Sequence, residues 1–205
     1  MNILLENQAA HLYHLVDQIN QIFVEPQTCY KFLEKEVSDQ SLNDLYDLLK
    51  WGPTSFNCSP MRLKFLKSKQ AKESLSRFVS EDNVKKVLNA PVCTIIGMDT
   101  EFWRDLPKNY LREDAKKYFE NDPEKSQITA FRNSSIQGGY FLKAANALGL
   151  AVGPMSGFSN ELVDEEFFNG TTTKSNFLCN LGYPDKDGFY ERAQRYNFSD
   201  IAEIL

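Results

Sequence analysis

The stretch from Ile128 to Leu148 reads as one long helix closed by Gly149, and everything else in the chain has to pack around it. Two adjacent glycines inside it, Gly138 and Gly139, leave room for another helix or a ligand to approach closely. Met61, Leu63 and Phe65 alternate with Arg62 and Lys64, the period of a strand with one covered face. Pro91 to Met98 is short and β-branched, as a buried central strand should be, and Ala151 to Met155 and Asn176 to Tyr183 are further strand candidates. Helices are expected from Ala9 to Phe23, from Ser38 or Asp39 to the Gly52-Pro53 stop, from about Gln70 to Val79, and from Ser159 to Phe168. In the second of these, Leu42, Leu45, Leu48 and Leu49 form the apolar stripe. Helices and strands mixed without strict βαβ repetition predict an α+β sandwich.

Composition narrows the function. With 23 Lys plus Arg against 28 Asp plus Glu the net charge is -5, which disfavours a nucleic-acid binder. Apolar residues at 42% are enough to close a core, and 205 residues suit one globular domain. The longest apolar runs fall far short of the ~20 residues of a membrane span. The N-terminus carries neither a basic flank nor a cleavage site, so a soluble, cytoplasmic protein is expected. Four dispersed cysteines, Cys29, Cys58, Cys93 and Cys179, suggest neither a zinc knuckle nor a disulfide framework. His11 and His14 are the only histidines; they make a poor metal site and leave little for Ser-His-Asp or Cys-His chemistry.

Two turns concentrate polar groups. Gly52 to Pro60 carries hydroxyls and an amide between prolines, so these groups are presented with little entropy left to lose. Gly153-Pro154-Met155-Ser156-Gly157-Phe158 would let backbone N–H groups come close to a planar ligand. Both also read as ordinary capping and turn segments.

In order along the chain, LYDLLKWGPTSFNCSP (45–60), NVKKVLNAPV (83–92), AFRNSSIQGGYFLKAANALGLAVGPMSGF (130–158) and KSNFLCNLGY (174–183) resemble the nitroreductase family of flavoproteins, and within it the malonic-semialdehyde-reductase-like branch. The resemblance implies a single domain from 27 to 205 after a helical extension over 1–26. It implies an α-β-α sandwich with a mostly antiparallel central sheet, and a domain-interlocked homodimer in which both subunits build each FMN site. The chemistry then belongs to the flavin, whose N5 takes a hydride from NADH or NADPH and passes it to a small-molecule electron acceptor, so no catalytic side chain or metal is implied.

Matched position by position, Pro53, Thr54, Ser55 and Asn57 correspond to the turn against the flavin ring and ribityl chain. Pro154, Met155, Ser156 and Gly157 correspond to the turn facing the reactive edge, and Asn133 to a ribityl or ring contact. Asn83 and Lys86 correspond to positions near the nicotinamide or open face, and Arg195 to the phosphate-pairing base, with Arg192 assisting. On residue type alone, Lys86, Asn133 and Arg192 read as plain surface or groove residues. The N-terminal motif departs from the branch: where Arg-Thr-His-Asn is the pattern, this chain has Gln27-Thr28-Cys29-Tyr30, keeping only the Thr28 hydroxyl. A lost guanidinium removes charge-assisted bonds of roughly 1.5–3 kcal/mol each, and Lys31 is the candidate replacement.

The acceptor implied by the branch is malonic semialdehyde, reduced to 3-hydroxypropanoate, with nitroarenes and quinones as alternatives. A carboxylate substrate wants a cation, which Arg104 or Arg132 could supply. The aromatic-rich insertion over 101–120 is either a lid or a packed helical cover. Two competing readings are a family member that has lost its cofactor and acts as a binding or structural dimer, and a flavin-storage protein without turnover.

Overall fold

The computed structural model describes residues 15–109 and 113–205. His11, His14 and Tyr110, together with the first part of the N-terminal helix expected from Ala9, lie outside the described residues. Four strands form one sheet in the order β1-β2-β4-β3: β1 Met61–Leu66, β2 Val92–Asp99, β3 Ala151–Met155 and β4 Thr173–Gly182. Every neighbouring pair is antiparallel, with Met61 opposite Met98, Thr94 opposite Cys179 and Val152 opposite Leu181.

The central strand β2 explains its own sequence. Val92 and Ile96 point into a core shared with Leu45, Leu49, Phe141 and Ala145, while Cys93 and Ile95 point into another shared with Leu75, Val87 and Val163. Both faces are covered, so the alternation of a half-exposed strand is absent and the run is apolar throughout. One covering layer is α2 (Asp39–Leu49) with α6 (Pro123–Ala147); the other is α3 (Lys69–Ser76), α4 (Glu81–Asn89) and α7 (Asn160–Phe168). The N-terminal helix α1 covers 15–24, turning π-helical from Asn20 to Val24, and is tied to α6 by the Lys143 ammonium donating to the Ile22 carbonyl at 3.1 Å. Short helices α5 (Leu106–Asn109) and α8 (Phe198–Ile201) complete the described chain.

Several boundaries differ from the sequence-based expectation. Helix α6 starts at Pro123 rather than near Ile128, because Asp122 caps it by accepting the Lys125 N–H and proline suits the first turn. Helix α4 was not expected: its pattern is mostly polar, although Ser80 followed by Glu81 and Asp82 is a recognisable start. Leu48, placed in the buried stripe, is exposed, while Leu42, Leu45 and Leu49 face the core at the i, i+3, i+7 spacing. Gly138 admits strand β4: a Cβ there would stand 2.6 Å from the Phe177 ring, whereas Gly139 meets nothing within 4 Å. The insertion is a packed cover, with Phe102, Leu106, Ala115 and Phe119 buried against Cys58, Met98 and Ala130.

Candidate functional site

The segment containing the altered N-terminal motif runs along β3, outside the sheet. Cys29 donates its N–H to the Val152 carbonyl at 2.8 Å, and Tyr30 donates to Gly188 O at 3.0 Å. The approach needs Gly153, where a Cβ would lie 2.5 Å from the Cys29 carbonyl oxygen. Tyr30 stacks on Tyr190, with ring centroids 4.2 Å apart. These contacts draw the C-terminal segment beside the motif and leave a cavity of about 150 Å³ lined by Gln27, Thr28, Tyr190, Glu191, Arg192, Ala193 and Arg195. The Arg192 guanidinium donates to Glu25 O at 2.7 Å, and that of Arg195 to Ala193 O at 2.9 Å and Gln194 O at 3.1 Å. Among the described residues neither arginine has a carboxylate within ion-pair distance. Lys31, by contrast, is paired with Asp185 at 3.1 Å, an interaction that raises the lysine pKa. The Asp185 carboxyl is held below the usual carboxylate range, first by the Asp187 N–H and then by Lys31. The ammonium of Lys31 is thus paired with Asp185 rather than lining the cavity.

The turn after β3 is held by α4. The Gly157 carbonyl accepts from the Ser80 N–H at 2.8 Å and from the Asn83 amide at 3.2 Å, and Lys86 donates to Asn83 Oδ1 at 3.2 Å. Gly157 fits because a Cβ would come within 2.7 Å of Ser80 Oγ. Pro154, Met155 and Gly157 are half-buried and Ser156 is exposed. Lys86, Asn83 and the Gly157 carbonyl thus form one hydrogen-bonded chain that fixes the end of the 154–157 turn against α4.

The remaining matched residues sit on the turn before β1. Phe56, Asn57 and Ser59 all adopt left-handed backbone, with φ of 56°, 50° and 38°. For non-glycine residues this costs roughly 1–2 kcal/mol each, so the surroundings have to hold the conformation. Thr54 Oγ1 accepts the Ser59 N–H at 3.1 Å, Phe56 packs edge-on to Phe119, and Arg62 donates to Ser59 O at 3.1 Å while pairing with Asp99 at 2.7 Å. Pro53, Ser55 and Asn57 are exposed on this frame. Cys58 is buried beneath it, and burial pushes its thiol up to about 11. Asn133 reaches the turn from α6, accepting the Ser55 N–H at 2.7 Å.

These groups lie at opposite edges of the sheet. The 53–60 turn leads into β1, and the other groups gather on and after β3, across three strand spacings or about 14 Å. Arg62, Gln137 and Tyr190, none of them singled out from the sequence as site residues, help to hold these groups in place, Gln137 by accepting the Met61 N–H at 3.0 Å. Arg62 reads from its alternation as a solvent-facing charge, and Gln137 lies inside a helical stretch without a pattern of its own. Arg104 pairs with Glu101 and Arg132 is exposed on α6.

An antiparallel α+β sandwich with polar turns at both sheet edges is the architecture found here, and comparison with known proteins places it. The nitroreductase family profile matches residues 27–183. A Burkholderia lata protein provisionally named as an NADH dehydrogenase/NAD(P)H nitroreductase is 47% identical over 186 residues, covering 91% of this chain and 95% of its own. Among solved structures, a Bacillus subtilis protein provisionally named a nitroreductase superposes with a TM-score of 0.78 at 19% identity, covering 96% of this chain and all of that one. An Exiguobacterium sibiricum protein, likewise provisionally named and solved in complex with FMN, superposes at 0.77 with 15% identity, covering 93% of this chain and 96% of that one. The chain belongs to the nitroreductase family, whose typical activity is FMN-dependent NAD(P)H oxidoreduction.

Proposed function

We propose that the protein is an FMN-dependent NAD(P)H oxidoreductase acting as an interlocked homodimer in the cytoplasm, with malonic semialdehyde as the acceptor to test first and nitroarenes or quinones next. The observation that carries this reading is the small cavity where Thr28 meets two guanidinium groups that, among the described residues, have no carboxylate within ion-pair distance. Two cations there outnumber the one carboxylate of the lining, Glu191, and suit a phosphate dianion, so that Arg192 and Arg195 supply what Gln27 cannot. The cavity is small for a whole flavin nucleotide and large enough for its anionic end.

When bound, FMN would supply the hydride acceptor and donor. The residues of this chain would bind and orient it: Thr28, Arg192 and Arg195 would hold the phosphate end, and Asn83 with Lys86 would keep the 154–157 turn at the ring edge. Pro53, Thr54, Ser55 and Asn57 would present the opposite wall. Because that wall stands at the far edge of the sheet, a second copy is the natural source of it.

The surface supports such a dimer. Ile128, Phe131, Ile136 and Tyr140 are exposed on α6, whose core-facing side is unusually polar and small. Tyr196, Phe198, Ile201 and Ile204 are exposed on the C-terminal segment. A groove of about 630 Å³ runs beside β1, a sheet-edge strand, with Leu42, Met61, Leu63 and Phe65 among polar and charged residues such as Asp39, Lys50 and Arg62. Four buried free thiols fit a reducing compartment.

The test is a visible absorption spectrum of the purified protein before and after mixing with FMN and desalting, followed by anaerobic NADH or NADPH. A yellow protein that bleaches is expected. A colourless protein that takes up no FMN at micromolar concentration would refute the reading and favour the cofactor-free dimer that Gln27 suggests, and a monomer by sedimentation would rule out the shared site. Bleaching without reoxidation by malonic semialdehyde would move the acceptor to the nitroarenes and quinones.

A further inference from the structure

The resemblance places Asn133 against the cofactor, yet both ends of its amide are already engaged inside the protein. Its Oδ1 accepts the Ser55 N–H at 2.7 Å, its Nδ2 donates to Thr129 O at 2.8 Å, and it is 5% exposed. One helical turn further along α6, Gln137 is equally buried and its Oε1 accepts the Met61 N–H at 3.0 Å. The two amides thus grip both ends of the stretch containing the left-handed residues Phe56, Asn57 and Ser59.

We propose that Asn133 and Gln137 are positioning residues, a pair of buried amide acceptors on α6 that preset the 54–59 turn for the cofactor without touching it. The spacing follows from helix geometry: residues four apart lie one above the other on the same face, and here that face is turned to the sheet. Between them, Ser134 donates to Gly97 O at 3.0 Å, so the helix is fastened to β2 as well. The Ser55 N–H, occupied by Asn133, is withdrawn from the groups available to a ligand, which leaves exposed side chains of the turn to make the contact. Because the turn is held before any ligand arrives, its ordering is not charged against binding.

The inference rests on the FMN reading for its purpose, but the clamp itself can be measured without cofactor. Amide hydrogen exchange of Ser55 and Met61 is followed in the cofactor-free protein, and FMN affinity by flavin fluorescence quenching, for the wild type, Asn133→Ala, Asn133→Asp and Gln137→Met. The alanine variant should exchange the Ser55 amide about tenfold faster and bind FMN about tenfold more weakly. The aspartate variant, held neutral by burial so that its O–H donates to Thr129 O while its carbonyl oxygen accepts the Ser55 N–H, should restore both. Gln137→Met, similar in shape but without a carbonyl, should speed exchange at Met61 and tests the same clamp if the alanine variant does not fold. Unchanged Ser55 exchange in Asn133→Ala, or unchanged Met61 exchange in Gln137→Met, overturns the clamp. FMN binding as poor in the aspartate as in the alanine variant, with Ser55 protection restored, overturns positioning in favour of direct contact through Nδ2. Failure of the wild type to bind FMN overturns the oxidoreductase reading instead, while the exchange data still decide the clamp.

Discussion

Replacing Gly153 by alanine puts a single methyl group where the motif segment crosses β3, and the consequences can be worked through. The new Cβ would stand 2.5 Å from the Cys29 carbonyl oxygen, against 3.4 Å for an ordinary contact, so the two backbones must separate by 3.4 − 2.5 = 0.9 Å. The neighbouring Cys29 to Val152 hydrogen bond, 2.8 Å long, would stretch towards ~3.7 Å and be lost. Overpacking costs about 1–3 kcal/mol and the lost bond about 0.5–1.5 kcal/mol, while the stiffer unfolded chain returns about 0.4–1 kcal/mol. The net expectation is a destabilisation of roughly 0.5–4 kcal/mol, read as a lower urea midpoint at unchanged slope. Thr28 and Gln27 move with Cys29 away from Arg195, so FMN affinity should also fall, by about tenfold for one charge-assisted bond misplaced. A Gly153→Ala protein as stable as the wild type would refute the packing argument. One that is destabilised but binds FMN normally would refute the link between this crossing and the proposed phosphate site.

Three further outcomes can be checked. Gln27→Arg should tighten FMN binding by about tenfold or more by restoring a guanidinium at the cavity, and no change in a binding titration would show that Arg192 and Arg195 already suffice. With all four cysteines buried and Cys58 raised to about 11, about one Cys58 in 3,000 is thiolate at pH 7.5; a thiol reagent should therefore label none of them in the native protein and all four in denaturant. Because the folded-state pKa of Asp185 is depressed, its contribution is intact above the ordinary carboxylate value near ~4 and lost as pH falls through the folded one. Asp185→Asn should accordingly flatten the loss of stability measured by urea titration between about pH 5 and pH 2, and an unchanged slope would show that the Lys31 pair is not what acid breaks.

Local pattern carried most of the fold. Ser38 and Ser159 cap helices where side-chain chemistry says they should, Gly149 ends α6 with φ of 73°, and β3 spans the expected Ala151 to Met155. These features are legible because each depends on neighbours a few residues away. Helix α4 was missed because its burial rests on only Asn83 and Val87, too few for a periodic signal. The polar turns were legible as turns, since proline and glycine constrain the backbone whatever surrounds them.

What only the tertiary structure decided is which polar atoms remain available. Sequence matching places Asn133 and Lys31 as candidate cofactor contacts, but the first is already bonded to Ser55 and Thr129 and the second paired with Asp185, partners 78, 4 and 154 residues away. It also decided that Thr28 shares a cavity with Arg192 and Arg195, and that the 53–60 turn and the 154–157 turn stand at opposite edges of the sheet. Spacing along a chain reports the chemistry a residue can do; whether its hydrogen-bonding capacity is already used depends on contacts made across the fold. The sequence therefore determined the elements and the residue types of a nucleotide-binding oxidoreductase, and the packing of α6 and β3 against distant segments determined which of those residues are free to act.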